Sequence, residues 1–218
     1  MSEYGYIPEA PEQSFGNNKG IFNPKDMYDL TRANKWTDIN DWQLITSVDI
    51  ADGTSYIDLT DIQEGNYRTH VMIGFGFSHN SNKHTYLQLS ADGGSNFINT
   101  GYHKAINYQN QANNDSGDSR YTNGTSYDYV FDSDNTDSAR AGGGYLYMYN
   151  LGDSTKSNTA WAQNSASNSN NNQVYRNLGV FGHATTQTIN ALRLGATGGT
   201  TFKTGHISLY GIKGINNG

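Results

Sequence analysis

The chain has no cysteine, which removes disulfide frameworks, thiolate nucleophiles and Cys-based metal sites from consideration. Charge is scarce at 16% of residues, and 14 Lys and Arg face 20 Asp and Glu for a net charge of −6. With a pI near 5.4 and no basic cluster, the electrostatic footprint of a nucleic-acid binder is missing. No run approaches the roughly 18 apolar residues of a membrane-spanning helix. The start, Met1 to Tyr4, lacks the basic and apolar regions of a secretion signal, so synthesis in a cytoplasm without export is the expectation. No internal repeat is visible, which argues against propellers and β-helices.

What is present is turn and strand material: 25 Gly, 16 Tyr, 12% aromatics and abundant Asn, Ser and Thr. That composition supplies large side chains for a thin core between two sheets. At 218 residues the expectation is one all-β domain behind a leader. The leader carries Tyr4, Tyr6, Ile7, Phe15, Ile21 and Phe22 at no regular period, so it has apolar anchors and no means of burying them against itself. Asn23 as a cap, Pro24 at the first turn and Asp26 at the positive dipole end predict one short helix running to Trp36.

From Trp42 the period changes to two, and Gly53 in an Asp-Gly turn joins that strand to residues 56–60 as a hairpin or sheet-switching pair. Residues 67–77 and 85–90 are the most apolar strands and are expected at the centre. Further strands are predicted at 102–108, 127–131, 145–149, 159–162, 174–181, 189–194 and 207–212. The polar runs 113–118 and 163–173 read as surface loops.

Ser90, Asp92, Gly94 and Phe97 fit the pattern of an Asp box, preferred here as a turn-stabilising device because one copy stands alone. Asp132, Asp134, Asn135 and Asp137 gather oxygen ligands without the glycine and distant glutamate of a calcium loop, and read as a solvated acidic loop. His70, His79, His84, His103, His183 and His206 show no metal-binding spacing, and no metal or other cofactor is expected. Asp58, Asp61, Glu64 and Asp92 cannot be paired into a glycosidase dyad, and no nucleophile elbow or phosphate loop appears, so no catalytic residue is assigned. Tyr145, Tyr147 and Tyr149 make an aromatic stripe, suited to a subunit contact or, less readily, to stacking on sugar rings.

Residues 204–213, containing Ile207, Ser208, Leu209, Tyr210 and Gly211, resemble the closing strand of a group of bacteriophage virion proteins. Residues 87–97 with Tyr102 resemble that group's middle hairpin, and residues 189–194 its penultimate strand. Residues 5–8, 13–22, 29–31 and 35–36 are similar to the front of fibre-like structural proteins of marine and cyanobacterial tailed phages. The resemblance implies a β-sandwich on a virion appendage or surface with the leader as attachment segment. It carries over no catalytic residues. The resulting expectation is a non-enzymatic, tail-fibre-like virion protein. Residues 1–38 attach it to other virion proteins through Tyr6, Ile7, Phe15, Ile21, Phe22 and Trp36, and residues 39–218 form a jelly-roll-like antiparallel sandwich. A homotrimer is expected by analogy with fibres, and the polar loops near 108–130 and 163–173 are candidates for contact with a host glycan. The alternatives are a capsid decoration protein and a glycan-binding or depolymerase module.

Overall fold

A computed structural model of the chain describes residues 13–14, 17–18, 42–110, 115–131, 141–168 and 173–213. The chain divides into two units, Met1–Asp41 and Trp42–Gly218. In the first, β1 (Gln13–Ser14) and β2 (Asn17–Asn18) form a minimal antiparallel ladder pairing Gln13 with Asn18. The predicted helix over 23–36 lies outside the described residues.

The second unit is an antiparallel β-sandwich. Its strands are β3 (Trp42–Ile50), β4 (Tyr56–Leu59), β5 (Thr69–His79), β6 (Thr85–Ser90), β7 (Tyr102–Asn110), β8 (Asp115–Gly124), β9 (Tyr127–Phe131), β10 (Gly142–Tyr149), β11 (Ser157–Asn168), β12 (Gln173–Thr186), β13 (Ala191–Ala196) and β14 (Phe202–Ile212). Among the described residues one 3-10 turn, Thr197–Gly199, is the only helical element. One sheet has eight strands in the order β3-β14-β5-β10-β11-β12-β7-β8, and the other has four in the order β4-β13-β6-β9.

The strand order has a simple parse. Setting aside the hairpins β7–β8 and β11–β12 leaves two four-stranded sheets, β3-β14-β5-β10 and β4-β13-β6-β9, between which the chain passes in the manner of a jelly roll. The two hairpins then lengthen the first sheet on its β10 side. Gly53, at φ +83°, makes the turn that sends the chain from β3 in the larger sheet to β4 in the smaller, the sheet-switching outcome.

Alternation explains the core. In β5 and β10, Met72, Phe77, Leu146 and Met148 face Leu87, Leu89, Leu192 and Leu194 of the smaller sheet, all essentially buried. Phe77 stacks on Phe131 with ring centroids 5.0 Å apart, and Tyr127 meets Tyr102 edge-on at 4.9 Å. Full burial of each such side chain is worth roughly 1.5 to 3 kcal/mol. The buried Tyr102 hydroxyl accepts from Leu89 N at 2.8 Å and donates to Ile98 O at 3.0 Å, so it enters the core without an unmet polar group.

Two sequence expectations need correction. Asp115–Gly124 is a full strand, so the described part of the run 113–118 is not a loop. Residues 163–168 continue β11, with Asn164 opposite Asn177 and Ala166 opposite Tyr175, so only the middle of the run 163–173 lies outside the strands' described residues. These stretches, the start of β8 and the continuation of the strand predicted at 159–162, escaped notice because they lie in the added hairpins and carry Asn, Ser and Gln where a core strand carries apolar residues.

Candidate functional site

The outer face of the eight-stranded sheet carries the chain's exposed large apolar side chains in number: Trp42, Leu44, Phe75, Tyr149, Val174, Leu178 and Val180. They share a face because the ladder registers align them. Leu44 stands opposite Tyr210, Tyr210 opposite Val71, Val71 opposite Tyr147, Tyr147 opposite Trp161 and Trp161 opposite Val180. A slip in the β14–β3 ladder between Leu209 and Tyr210 turns Trp42 and Leu44 outward while Ile45 and Val48 pack against the core.

The aromatic members form a connected ladder. Trp42 lies 5.9 Å from Tyr210 and 6.2 Å from Tyr147, centroid to centroid. Tyr147 and Tyr145 lie 5.9 and 5.5 Å from Trp161 and 5.7 Å from each other. Tyr145 donates its hydroxyl hydrogen to Gln163 Oε1 at 2.8 Å. Val71 sits on this outer face yet is fully buried and outside the main core cluster, because the neighbouring rings cover it. The rings pack edge-on or tilted against one another, an arrangement that builds a second, one-sided apolar layer.

Of the predicted stripe, the structure brings Tyr145 and Tyr147 into this ladder and leaves Tyr149 at its margin, between Thr69 and Thr159. Trp42, Trp161 and Tyr210 were missed as site residues. A signal for Trp161 existed, since Ala160 and Ala162 beside it are small and buried, which places the large ring on the opposite face. The attachment residues Tyr6, Ile7, Phe15, Ile21, Phe22 and Trp36, and the acidic run 132–137, lie outside the described residues.

On the same face, His206 Nδ1 is 2.6 Å from Asp49 Oδ1, and its Nε2 is 2.9 Å from Ser47 Oγ and 3.1 Å from Ser208 Oγ. Phe75 stacks on the imidazole at 4.6 Å. These are the distances of a nucleophile, base and orienting carboxylate, but hydrolysis also needs a walled site with donors aimed at an oxyanion. Here the line crosses an open sheet, and the Asp49 side chain is 93% exposed. The arrangement reads as a polar cross-strand ladder between β3 and β14.

The other candidate motifs serve the scaffold. Asp92 accepts from Asn96 N at 2.8 Å, from Asn96 Nδ2 at 2.7 Å and from Ser90 Oγ at 2.8 Å, and these bonds, those from Asn96 foremost, hold its carboxyl below the usual range. Asp58 takes both prongs of Arg193 at 2.7 and 2.8 Å, while the guanidinium lies between the rings of Tyr56 and Phe97 at 3.9 and 4.0 Å. His70 and His79 are buried, and among the described residues no group of three or more His, Cys, Asp or Glu is placed to hold a metal ion. No helix among the described residues is long and apolar enough to cross a membrane. The chain matches no protein-family model, no curated protein and no solved structure.

Proposed function

We propose that this chain is a structural, non-enzymatic subunit of a phage virion, fibre-like in character, whose eight-stranded sheet packs against copies of itself in a homotrimer. The observation that carries the reading is the one-sided layer of Trp42, Leu44, Tyr147, Trp161, Val180 and Tyr210 on a sheet face with no second layer over it among the described residues. A broad patch of aromatic and aliphatic side chains, rimmed by polar residues such as Arg176 and Asp49, has the anatomy of a protein contact. Sugar stacking asks instead for a ring face lying free, whereas these rings are turned against one another. Jelly rolls serve widely in viral capsids and lectins, which supports the reading as fold-level analogy. The resemblance of the leader and the closing strand to phage fibre-like proteins adds the attachment role of residues 1–38. On the virion, the partners are then other virion proteins.

Light scattering on the purified full chain tests the contact. The expected mass is three times the 24.0 kDa of one chain, and the pair Leu44→Lys and Val180→Lys lowers it to a single chain. A wild-type protein that stays monomeric at high concentration removes the subunit-packing reading. The attachment role is tested separately by deleting residues 1–22, which is expected to leave a folded body that no longer joins the particle. Normal incorporation of the truncated chain removes it.

A further inference from the structure

The hairpins β7–β8 and β11–β12 are not needed to close the jelly roll, and they carry the larger sheet past β9, the rim strand of the smaller one. On the outer face of this overhang the aromatic layer gives way to a shallow, open depression of about 620 Å³ over β12 and β7, with His103, Ala105, Arg120, Thr122, Val180 and Gly182 around it. The ladder registers explain it. Val180 stands opposite Ala105 and Ala105 opposite Arg120, while Gly182 stands opposite His103. Two of the smallest residues therefore lie diagonally beside each other on neighbouring strands, and the sheet is bare between them.

Gly182 is the informative residue. Glycine weakens a strand interior, and there it marks a bulge, a bend or a place where another backbone comes close. Other strand glycines are accounted for inside the subunit: a Cβ at Gly144 would lie 2.3 Å from Gln163 O, and one at Gly195 2.4 Å from the Tyr86 ring. A Cβ at Gly182 meets nothing within 4 Å, and its φ is not left-handed. The slip in the β11–β12 ladder comes after it, and Gly182 itself pairs with Thr159 and His103. Nothing within one chain calls for glycine at this position.

The bare strip matches side chains at the far end of the same face. Trp42 stands opposite Ile212, Ile212 opposite Thr69, Thr69 opposite Tyr149, Tyr149 opposite Thr159 and Thr159 opposite Gly182. Trp42 and Gly182 thus share one row across the sheet, and Leu44 and Ala105 share the next, through Val180. Trp42, braced by Tyr147 and Tyr210, is still 39% exposed, and Leu44 is 57% exposed. A rotation about an axis along the strands leaves each row at its own height, so it brings these two side chains level with the depression of a neighbouring copy.

We propose that copies of this chain dock head to tail around a threefold axis parallel to the strands, with Trp42 and Leu44 of one copy seated over Gly182 and Ala105 of the next. The assignment rests on the subunit-packing reading and adds its register. A second copy is the occupant because Val180 belongs both to the aromatic layer and to the wall of the depression, so the two surfaces are continuous. The floor offers carbon in place of the convergent polar groups that orient a small ligand. Arg120, exposed at the β8 wall, supplies a guanidinium for the face of the incoming indole.

The absence of cysteine makes this register readable by cross-linking. The full-length double variant Leu44→Cys/Ala105→Cys, treated with a short bismaleimide, is expected to run on a denaturing gel as a covalent trimer, three times 24.0 kDa. Either single variant is expected to stay a single chain, because in a ring each position meets the other kind. Gly182→Phe fills the depression without a clash in its own subunit; it is expected to keep its β-sheet circular dichroism while the mass by light scattering falls from three chains to one. A covalent dimer from the double variant, cross-linking of either single variant, or no cross-link in a protein that is trimeric by light scattering overturns the register and leaves the subunit-packing reading standing. So does a Gly182→Phe protein that remains trimeric. A wild-type chain that is monomeric removes both.

Discussion

His70 is fully buried in β5, where its Nε2 hydrogen is donated to Ile62 O at 2.8 Å and its Nδ1 has no hydrogen-bond partner. Burial pushes its pKa below the ordinary value of 6.5, only partly opposed by the Ile62 carbonyl and the charge of Glu64; the Tyr67 ring meets it edge-on at 5.9 Å. The unfolded chain therefore takes up a proton near pH 6.5 that the folded chain refuses. Stability is full above that pH and falls as pH drops through it towards the lower folded value. The melting temperature is expected to be lower at pH 5 than at pH 7.5. His70→Gln, which retains an amide donor for Ile62, is expected to shrink the difference. An undiminished difference in the variant places the titrating group elsewhere. Lys104 is the second buried ionisable residue of note, lowered by burial with Asp128 pulling the other way, and its ammonium faces the rings of Tyr121 and Tyr129 in place of a paired anion.

At the scale of elements, what the sequence revealed followed how much apolar surface each strand buries. β5 and β6, predicted as central, each have neighbours on both sides, and the strands predicted within 127–131, 145–149 and 207–212 stand as β9, β10 and β14. The start of β8 and the distal part of β11 read as loops because they lie in the overhang, where Asn164, bonded to Asn177 of the neighbouring strand, does the work that leucine does in the core. The Asp-box turn was legible from Ser90, Asp92 and Gly94 since its bonds are local. The polar line of Asp49, Ser47 and His206 was not, because its members lie up to 159 residues apart. In the smaller sheet, Arg193 links β13 to β4 through Asp58 and to the turn after β6 through Phe97. Arg193→Lys keeps the charge but loses the two-pronged bond and the planar stacking. It is expected to cost about 1 kcal/mol in urea unfolding, and Arg193→Met somewhat more. Equal stability of Arg193→Lys and the wild type would show that the sandwich of rings contributes nothing.

For the whole molecule, the two faces of the larger sheet hold different chemistry. The inner face carries the jelly-roll core, whereas the outer face carries the aromatic layer. The two kinds of surface are separable by mutation. Phe77→Ala, which empties space between the sheets beside Phe131 and Phe202, is expected to destabilise by about 3 to 5 kcal/mol. Trp161→Ala, which opens only the outer layer, is expected to cost less in the isolated subunit and to show its main effect on association. Chemical unfolding and light scattering on the same two variants check both halves of the statement.

The strand order also governs the timetable of synthesis. β3 is the first strand of the sandwich to leave the ribosome, and its only neighbour among the described residues is β14, the last described strand. β4 waits likewise for β13. Neither sheet can therefore close until β13 and β14 have emerged, and until then two unpaired strand edges stay available to neighbouring nascent chains. A product truncated before Phe202 leaves β3 unpaired and strips one side of β5, so it is expected to accumulate in inclusion bodies, and holdase chaperones acting on the ribosome-bound chain are expected to raise the yield of full-length protein.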